Sequence, residues 1–313
     1  MRLTARALGS VALLALLVWL ADPAKLWALL RRADLSLFGW AVAASLASSA
    51  FSAVRWAAIA KSLKLAAPLP LMAVLYARGI TANTVLPGAP VSGDVLRSVQ
   101  LGRLGNPVAQ SALSVFLDRF SGLWILCALS LASALGAFAW QHFSGQRLIA
   151  IPHAVAYIVG LTAAVCIPLL PRPVPVRRKG TRVAALAERA NVALERIRSA
   201  RRTMWRSVFY SICVQVAAAA GLWLCGLSIG VNLSFPVMLA AAAPIFVAGA
   251  MPIGVGGFGA RETGALLVLG ALGVPPEQAI GTAMLYGVAS IVLGAACASA
   301  FLAKLPAPRA WPA

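Results

Sequence analysis

Acidic and basic side chains stand close together in three apolar stretches of the sequence. They are Asp94 and Arg97 in LPGAPVSGDVLR, Asp118 and Arg119 in SVFLDRFSG, and Arg261 and Glu262 in MPIGVGGFGARE. A charge at the centre of a membrane helix costs at least about 2.5–3.5 kcal/mol on insertion scales, so ionic groups at such positions need a reason. Two kinds of chemistry fit the pattern. The residues can pair with one another and lock helices together, or the arginine forks can bind an anionic ligand such as a phosphate in a water-filled cavity.

Glycine and proline accompany two of the three charged stretches. The dipeptide PG at residues 87–88 precedes SGDVLR, and Pro252 with four glycines precedes the Arg-Glu pair. A helix that resumes after such a break presents unpaired N–H groups and a partial positive charge, which suit phosphate or carboxylate. Glycine also lets a backbone approach its neighbour closely. We expect Ser92 or Asp94 to cap the helix that begins at SGDVLR, with Arg97 one turn beyond Asp94 on the same face.

The candidate site combines these charged residues, glycines at both breaks, and one arginine on the arm before the first break. The expected ligand is an anionic lipid headgroup, and no catalytic residue, metal or cofactor is expected. The candidate headgroup-binding residues are Arg78, Gly93, Asp94, Arg97, Asp118, Arg119, Gly256, Gly257, Arg261 and Glu262.

The composition indicates which elements must position these residues. The chain has 313 residues, of which 61% are hydrophobic and 11% are charged. Soluble domains carry roughly 45–50% apolar and about 25% charged residues. Apolar runs long enough to cross a bilayer, about 20 residues each, recur along the whole chain. The sequence therefore predicts an all-α polytopic membrane protein with about eight membrane segments, in a single integral membrane domain over residues 1–313.

The distribution of basic residues predicts the orientation of the segments. The formal net charge is +19, and eleven of the 27 lysines and arginines lie between Arg172 and Arg206. Basic loops mark the cytoplasmic side, so this charge indicates topology and attraction to anionic headgroups, not nucleic-acid binding. Residues 171–204 are expected to form a basic cytoplasmic loop and helix. Both chain termini are expected in the cytoplasm, with an uncleaved first span near residues 3–20.

Assigning the end of each predicted segment to the cytoplasmic or the external side, one after another along the chain, predicts two related units. The first covers residues 37–138 and contains a helical hairpin, 68–103, that enters from the cytoplasm and returns. The second covers residues 205–302 and contains a hairpin, 235–274, that enters from the opposite side. The units share an order of parts and have opposite orientation. That arrangement is the inverted repeat of secondary transporters, in which broken helices meet near the middle of the membrane.

Three ordered motifs give the chain a family resemblance. NTVLPGAPVSGDVLRSVQLGR, LSVFLDRFSGL and MPIGVGGFGARE resemble the signature regions of the lysylphosphatidylglycerol synthase transmembrane family, whose members are often called flippase-like membrane proteins. The resemblance implies roughly eight membrane segments, a bacterial inner membrane location, and flipping of an aminoacylated phospholipid. It places the family's charged motifs on Asp94 and Arg97, on Asp118 and Arg119, and on the Arg-Glu pair at residues 261–262. Where the family usually has a first glycine, this chain has Ser92.

These observations favour a flippase-like transporter that moves an anionic or aminoacylated phospholipid, or a polyprenyl-phosphate lipid, between leaflets. The chain ends at Ala313 without the soluble aminoacyltransferase domain of the lysyl-lipid synthases, so we expect no lysine transfer and no enzyme activity. Two alternatives stay open. One is a non-catalytic membrane partner of a cell-envelope lipid-synthesis enzyme, and the other is an intramembrane transferase acting on lipid headgroups. The expected partners are anionic membrane lipids, with an envelope-synthesis enzyme or a second copy of the chain as further partners.

Overall fold

Helices account for every regular element in the described part of the chain. The structure is a computed structural model that describes Trp19 and residues 22–66, 68–85, 91–144, 151–166, 201–251 and 257–305. The predicted first span, 3–20, and most of the predicted cytoplasmic loop, 171–204, lie outside these residues. The helices are α1 (Pro23–Arg31), α2 (Leu35–Ser62), α3 (Leu69–Val85), α4 (Val91–Arg103), α5 (Val108–Ser144), α6 (Ile151–Cys166), α7 (Arg201–Ser228), α8 (Phe235–Gly249), α9 (Ala260–Ala271) and α10 (Pro276–Cys297), which a 3₁₀ turn (Ala298–Phe301) extends.

Four of the described helices are long and apolar enough to cross a membrane. The segments are Leu35–Ser62, Val108–Trp140, Trp205–Ser228 and Pro276–Phe301. By contrast, α3, α4, α8 and α9 have 17, 13, 15 and 12 residues. At about 1.5 Å per residue they are roughly 18–26 Å long, which is less than the ~30 Å hydrocarbon core of a bilayer. The chain is therefore a multi-pass helical membrane protein, as its composition predicted.

Local sequence signals explain where several of these helices begin. Asp34 caps α2, because its carboxylate accepts hydrogen bonds from the amides of Ser36 at 2.8 Å and Leu37 at 3.2 Å. Proline stands in the first turn of α1, α8 and α10, where its missing N–H costs nothing. Inside the membrane a helix satisfies the hydrogen-bonding groups of its own backbone. Long apolar runs of a chain therefore fold there as helices.

The described helices form two halves with the same order of long and short elements. The first half is α2–α5 and the second half is α7–α10; in each, two long helices flank a short helix pair. We call α3 and α4 the first helix pair, and α8 and α9 the second helix pair. Each half has its own apolar core, built around Trp56, Met72 and Leu101 in the first and around Leu222, Met238 and Leu269 in the second.

Exchanging the two halves leaves the pattern of helix contacts unchanged. Within each half, the first long helix packs on the first short helix and on the last long helix, and consecutive helices pack together. Between the halves, α3 packs on α10 and α8 packs on α5, while α2 packs on α10 and α7 packs on α5. Even the flanking helices follow the pattern, since α1 packs on α10 and α6 packs on α5. The two halves are thus related by an approximate two-fold exchange of contacts.

The two equivalent helices α2 and α7 run antiparallel against each other. Three hydrogen bonds fix this direction along nearly their whole length: Asp34 N to Ser228 O at 2.8 Å, Ser48 Oγ to Val214 O at 3.0 Å, and Arg55 Nη1 to Ser211 Oγ at 3.2 Å. The start of α2 therefore lies beside the end of α7.

The start of α3 and the end of α4, which we call the outer ends of the first helix pair, lie close together. The buried amide of Asn106, between α4 and α5, accepts a hydrogen bond from the amide of Ala66 at 2.8 Å and donates to the Leu101 carbonyl at 3.0 Å. Ala66 lies between α2 and α3, so α3 leaves and α4 returns at the end of the bundle where α2 finishes. The basic residues Lys61, Lys64 and Arg103 are exposed at that same end.

Candidate functional site

Five charged side chains from three helices form a continuous chain of ion pairs in the first half. We call Arg55, Asp118, Arg97, Asp94 and Arg119, in that order, the charge chain. Arg55 Nε lies 2.8 Å from Asp118 Oδ1, Arg97 Nη1 lies 3.4 Å from Asp118 Oδ2, and Arg97 Nη2 lies 2.7 Å from Asp94 Oδ1. Arg119 closes the series by donating from Nε and Nη2 to both oxygens of Asp94 at 2.8–3.1 Å. The chain joins α2, α4 and α5.

Exposure within the charge chain increases only toward Asp94 and Arg119. The side chains of Asp118 and Arg97 are 1% and 2% exposed, whereas Arg119 at the end of the chain is 39% exposed. Arg97 is also held by two aromatic rings, since its guanidinium lies 4.8 Å from the ring centre of Trp56 and 4.5 Å from that of Tyr76. Three guanidinium groups face two carboxylates, so one positive charge is left unbalanced within the chain. The most accessible member of the network is an arginine, Arg119.

Small residues let the two helices of the first pair approach each other closely enough for Arg97 to reach the charge chain. A Cβ atom on Gly93 would overlap the Gly79 carbonyl oxygen and lie 2.6 Å from Asn83 Oδ1. The amide of Gly93 donates to that same Asn83 oxygen at 2.8 Å, which satisfies one of the unpaired N–H groups at the start of α4. The sequence predicted Ser92 or Asp94 for this role. Asp94 instead uses its carboxylate on two arginines, while the Ser92 hydroxyl reaches back to the end of α3 at 3.4 Å.

The second helix pair repeats this construction around Arg261. A Cβ atom on Gly257, whose φ is +79°, would lie 2.7 Å from the Gly249 carbonyl oxygen. Arg261 follows Gly257 by four residues, as Arg97 follows Gly93, and its guanidinium also lies close to two rings, 5.1 Å from that of Phe258 and 5.7 Å from that of Tyr286. The exchange of halves that relates the helices thus also relates the two arginines.

The surroundings of Arg261 differ from those of Arg97 in their charges. Glu262 is fully buried; it accepts from Arg261 Nη2 at 3.1 Å and from the Gly259 amide, at the start of α9, at 2.6 Å. Arg261 is 5% exposed, and its Nε has no hydrogen-bond partner among the described residues. Among the described residues, the first half therefore carries an extended ionic network, and the second half carries one pair of opposite charges, Arg261 and Glu262.

Arg78 lies apart from both groups of charges. Its Nε and Nη2 donate to the main-chain carbonyls of Ala300 at 3.1 Å and Ala303 at 2.7 Å, and its guanidinium lies over the Phe301 ring. These carbonyls end α10 and its 3₁₀ extension, where a cation is favoured by the helix dipole. Arg78 thus fastens the first helix pair to the end of the second half.

A model of the family described as "Lysylphosphatidylglycerol synthase TM region" matches residues 7–298 of the chain. The chain belongs to this family. A comparison with curated proteins found no match. The resemblance read from the three motifs is confirmed, and it extends over nearly the whole sequence.

In this lysylphosphatidylglycerol synthase TM-region protein, only some of the predicted site residues lie together. Asp94, Arg97, Asp118 and Arg119 form one network, and Gly93 lets Arg97 reach it. Arg261, Glu262 and Gly257 form a second group in the other half, Arg78 stands separately, and Gly256 lies outside the described residues. The internal pairing that the sequence left open as one alternative is present in both halves.

Sequence reasoning missed several members of the network in this family member. Arg55 is 4% exposed and contacts Asp118, yet it is absent from the site residues predicted from the sequence. Its signal was available, because a lone arginine six residues before Lys61 lies well inside an apolar segment. Trp56 and Tyr76 gave no such signal, since an aromatic residue in a membrane helix is ordinary. Within the described ranges, no three His, Cys, Asp or Glu side chains come together as a metal site would require.

Proposed function

We propose that this chain is a flippase-like lipid transporter of a bacterial inner membrane, and that it acts as a transporter and not as an enzyme. Its cargo is an anionic or aminoacylated phospholipid, or a polyprenyl-phosphate lipid, whose headgroup crosses between leaflets. The observation that carries the proposal is the charge chain, with its unbalanced positive charge and its half-exposed end at Arg119. Arg119 lies eleven residues into α5, about 16 Å along the helix axis. Ionic groups at membrane depth mark substrate pathways far more often than surface charges do.

The helix arrangement supports an inverted repeat for this transporter. Equivalent helices that pack antiparallel, as α2 and α7 do, are expected when two units are related by an axis in the membrane plane. The contact pattern survives exchange of the halves, and each half contains a pair of helices shorter than the membrane is thick. On this interpretation both helix pairs are re-entrant and enter from opposite sides.

The basic residues supply the orientation of the repeat. Lys61, Lys64 and Arg103 at the outer ends of the first helix pair, and Trp205 with Arg206 at the start of α7, belong to the same end of the bundle because α2 and α7 are antiparallel. The positive-inside rule assigns that end to the cytoplasm. The first pair then enters from the cytoplasm, the second enters from outside, and α10 ends in the cytoplasm near Lys304.

The chemistry of transport follows from exchangeable ion pairs. A phosphate accepts two parallel hydrogen bonds from an arginine in the same geometry as a carboxylate does. A lipid phosphate can therefore replace Asp94 on Arg119 without leaving a guanidinium unpaired. The lipid tails stay in the bilayer throughout, so only the headgroup requires a polar path. Arg261, which is equivalent to Arg97, gives the second half an arginine for the opposite leaflet.

Reconstitution into liposomes tests this function. Purified protein should move a headgroup-labelled anionic phospholipid or polyprenyl phosphate between leaflets faster than empty liposomes do, as measured by loss of label on adding a membrane-impermeant quencher. Arg119→Ala and Arg261→Ala should abolish the gain, whereas Lys25→Ala, which alters an exposed pair with Asp22, should not. Folded protein that leaves the rate at the empty-liposome level across a broad lipid panel would refute transport. A change in the mass of the lipid that requires Asp118 would indicate a headgroup transferase instead.

A further inference from the structure

A cleft of about 320 Å³ lies between α4 and α5, directly above the exposed end of the charge chain. Its lining combines one ion pair with small and apolar side chains. The lining residues are Asp94, Val95, Ser98, Ala112, Val115, Phe116 and Arg119. The arrangement is amphipathic, with charge on one wall and hydrocarbon around it.

The rim of the cleft faces away from the protein core. Val95 on α4 is 53% exposed and Phe116 on α5 is 63% exposed, and both belong to the lining. Val91, Val99 and Phe120, one turn away on the same faces, are exposed as well. In a chain that spans a membrane, an exposed apolar rim of this kind contacts lipid tails. The cleft is therefore open sideways to the bilayer.

The charged residues that line the cleft select the type of occupant. The charge chain carries one unbalanced positive charge, and Arg119 is its most exposed guanidinium. Asp94 stays paired with Arg97 at 2.7 Å if it releases Arg119, so it offers no unpaired carboxylate to a cationic group. The cleft consequently favours a headgroup of net negative charge over a zwitterionic one.

We infer that this cleft is the lateral entrance through which a glycerophospholipid of net negative charge reaches the charge chain. The lipid phosphate binds Arg119 in place of Asp94, and an acyl chain lies along Val95 and Phe116. The inference rests on the proposed function and adds to it the class of lipid and the place where it leaves the bilayer.

Photocrosslinking from inside the cleft tests the inference. The photoreactive amino acid p-benzoylphenylalanine is placed at Val95, and the matched control is placed at Val292, an exposed valine on α10. Each protein is reconstituted into vesicles of equimolar phosphatidylglycerol and phosphatidylcholine and irradiated, and the lipid adducts are quantified by intact-mass spectrometry. The ratio of phosphatidylglycerol to phosphatidylcholine adducts should be several-fold higher at Val95 than at Val292, because both lipids offer Arg119 a phosphate but only phosphatidylglycerol places a net negative charge opposite the unbalanced positive charge.

Two variants identify the group that recognises the lipid. Arg119→Gln should reduce the adduct ratio at Val95 to that at Val292, while crosslinking at Val292 itself stays unchanged and reports an intact bundle. Asp94→Asn should raise the ratio at Val95, because the carboxylate no longer competes for Arg119. A fall of the ratio in Asp94→Asn would assign recognition to the carboxylate and overturn the inference.

The remaining outcomes separate the entrance from transport itself. Equal adduct ratios at Val95 and Val292, or adducts at Val95 to a second copy of the chain in place of lipid, would overturn the entrance. Enrichment at Val95 in a protein that moves no lipid would leave the binding site standing and refute the transporter. Transport without enrichment at Val95 would refute the lateral entrance and leave the transporter standing.

Discussion

Replacing Asp118 by asparagine removes the carboxylate at the centre of the charge chain while preserving the shape of the side chain. Asp118 is 1% exposed and accepts from Arg55 at 2.8 Å and from Arg97 at 3.4 Å. Asparagine keeps one acceptor oxygen, but its amide nitrogen must then face the N–H donors of the other guanidinium. The unbalanced charge of the network rises from one to two, since three guanidinium groups then face one carboxylate.

The expected loss of stability is large because both guanidiniums are buried. Breaking a buried ion pair by removing one partner costs about 3–5 kcal/mol. For a chain of this size, at roughly 2 °C per kcal/mol, the midpoint of thermal unfolding should fall by about 6–10 °C. Unfolding of the detergent-solubilised protein, followed by intrinsic tryptophan fluorescence, measures the shift. Lys25→Gln, which breaks an exposed pair 3.5 Å long, should cost no more than about 1 kcal/mol.

A double-mutant cycle distinguishes ion pairing from simple disruption of packing. Arg55→Gln in the Asp118→Asn background restores the unbalanced charge to one. The double variant should therefore be more stable than the sum of the single variants by about 0.5–3 kcal/mol. Strict additivity, or an Asp118→Asn variant within about 0.5 kcal/mol of the wild type, would refute the view that this network is a stabilising chain of ion pairs.

Two other substitutions test the helix pairs. Gly93→Ala should destabilise the protein by about 1–3 kcal/mol because its methyl group would overlap the backbone of α3, whereas Gly136→Ala, which meets nothing within 4 Å, should be neutral or stabilising by up to about 1 kcal/mol; equal effects in thermal unfolding would contradict the close crossing. Arg78→Gln should remove the two hydrogen bonds to the carbonyls at the end of α10, so hydrogen exchange over residues 298–305 should rise about tenfold or more. Unchanged protection in that segment would show that Arg78 does not fasten it.

The helices could be predicted from the sequence because the bilayer imposes their length. The predicted units 37–138 and 205–302 each begin and end with a long described helix, within a few residues apart from the longer end of α5. The two predicted hairpins contain the two short helix pairs, since proline and glycine interrupt both. Whether these pairs are re-entrant stays a prediction, as does the total of about eight membrane segments.

The identity of the ion pairs was less predictable than their presence. Asp94 and Arg97 are three residues apart on one helix, so their contact follows from helical spacing. The contacts of Asp118 with Arg55 and of Asp94 with Arg119 join residues 63 and 25 positions apart. Such contacts depend on how helices pack, which a single sequence does not specify. For the same reason the separation of Arg78 from the charge chain had no signal in the sequence.

The equivalence of the two glycine crossings was also invisible in the sequence. Gly93 and Arg97 share their spacing with Gly257 and Arg261, but a glycine four residues before an arginine is a weak motif. The structure explains this shared spacing, because both glycines lie against a carbonyl of the partner helix and both arginines lie close to two aromatic rings. An internal repeat with different residues around a common backbone leaves few identities to detect.

The proposed transport path requires that the two helix pairs enter the membrane from opposite sides. Cysteine accessibility measures this directly, in a variant whose five native cysteines are replaced by alanine. Single cysteines at Ala66 and Arg103 mark the outer ends of the first pair, those at Asn232 and Ala271 mark the outer ends of the second pair, and one at Val85 marks the inner end of α3.

A membrane-impermeant maleimide, applied to right-side-out or inside-out vesicles, should label the first two positions only from the cytoplasmic face and the next two only from the external face. Val85→Cys should resist labelling from outside, because a re-entrant α3 would end within the membrane. Labelling of Val85→Cys from outside would show that α3 crosses completely. Labelling of both sets of outer ends from one face would contradict the inverted arrangement on which the transport path depends.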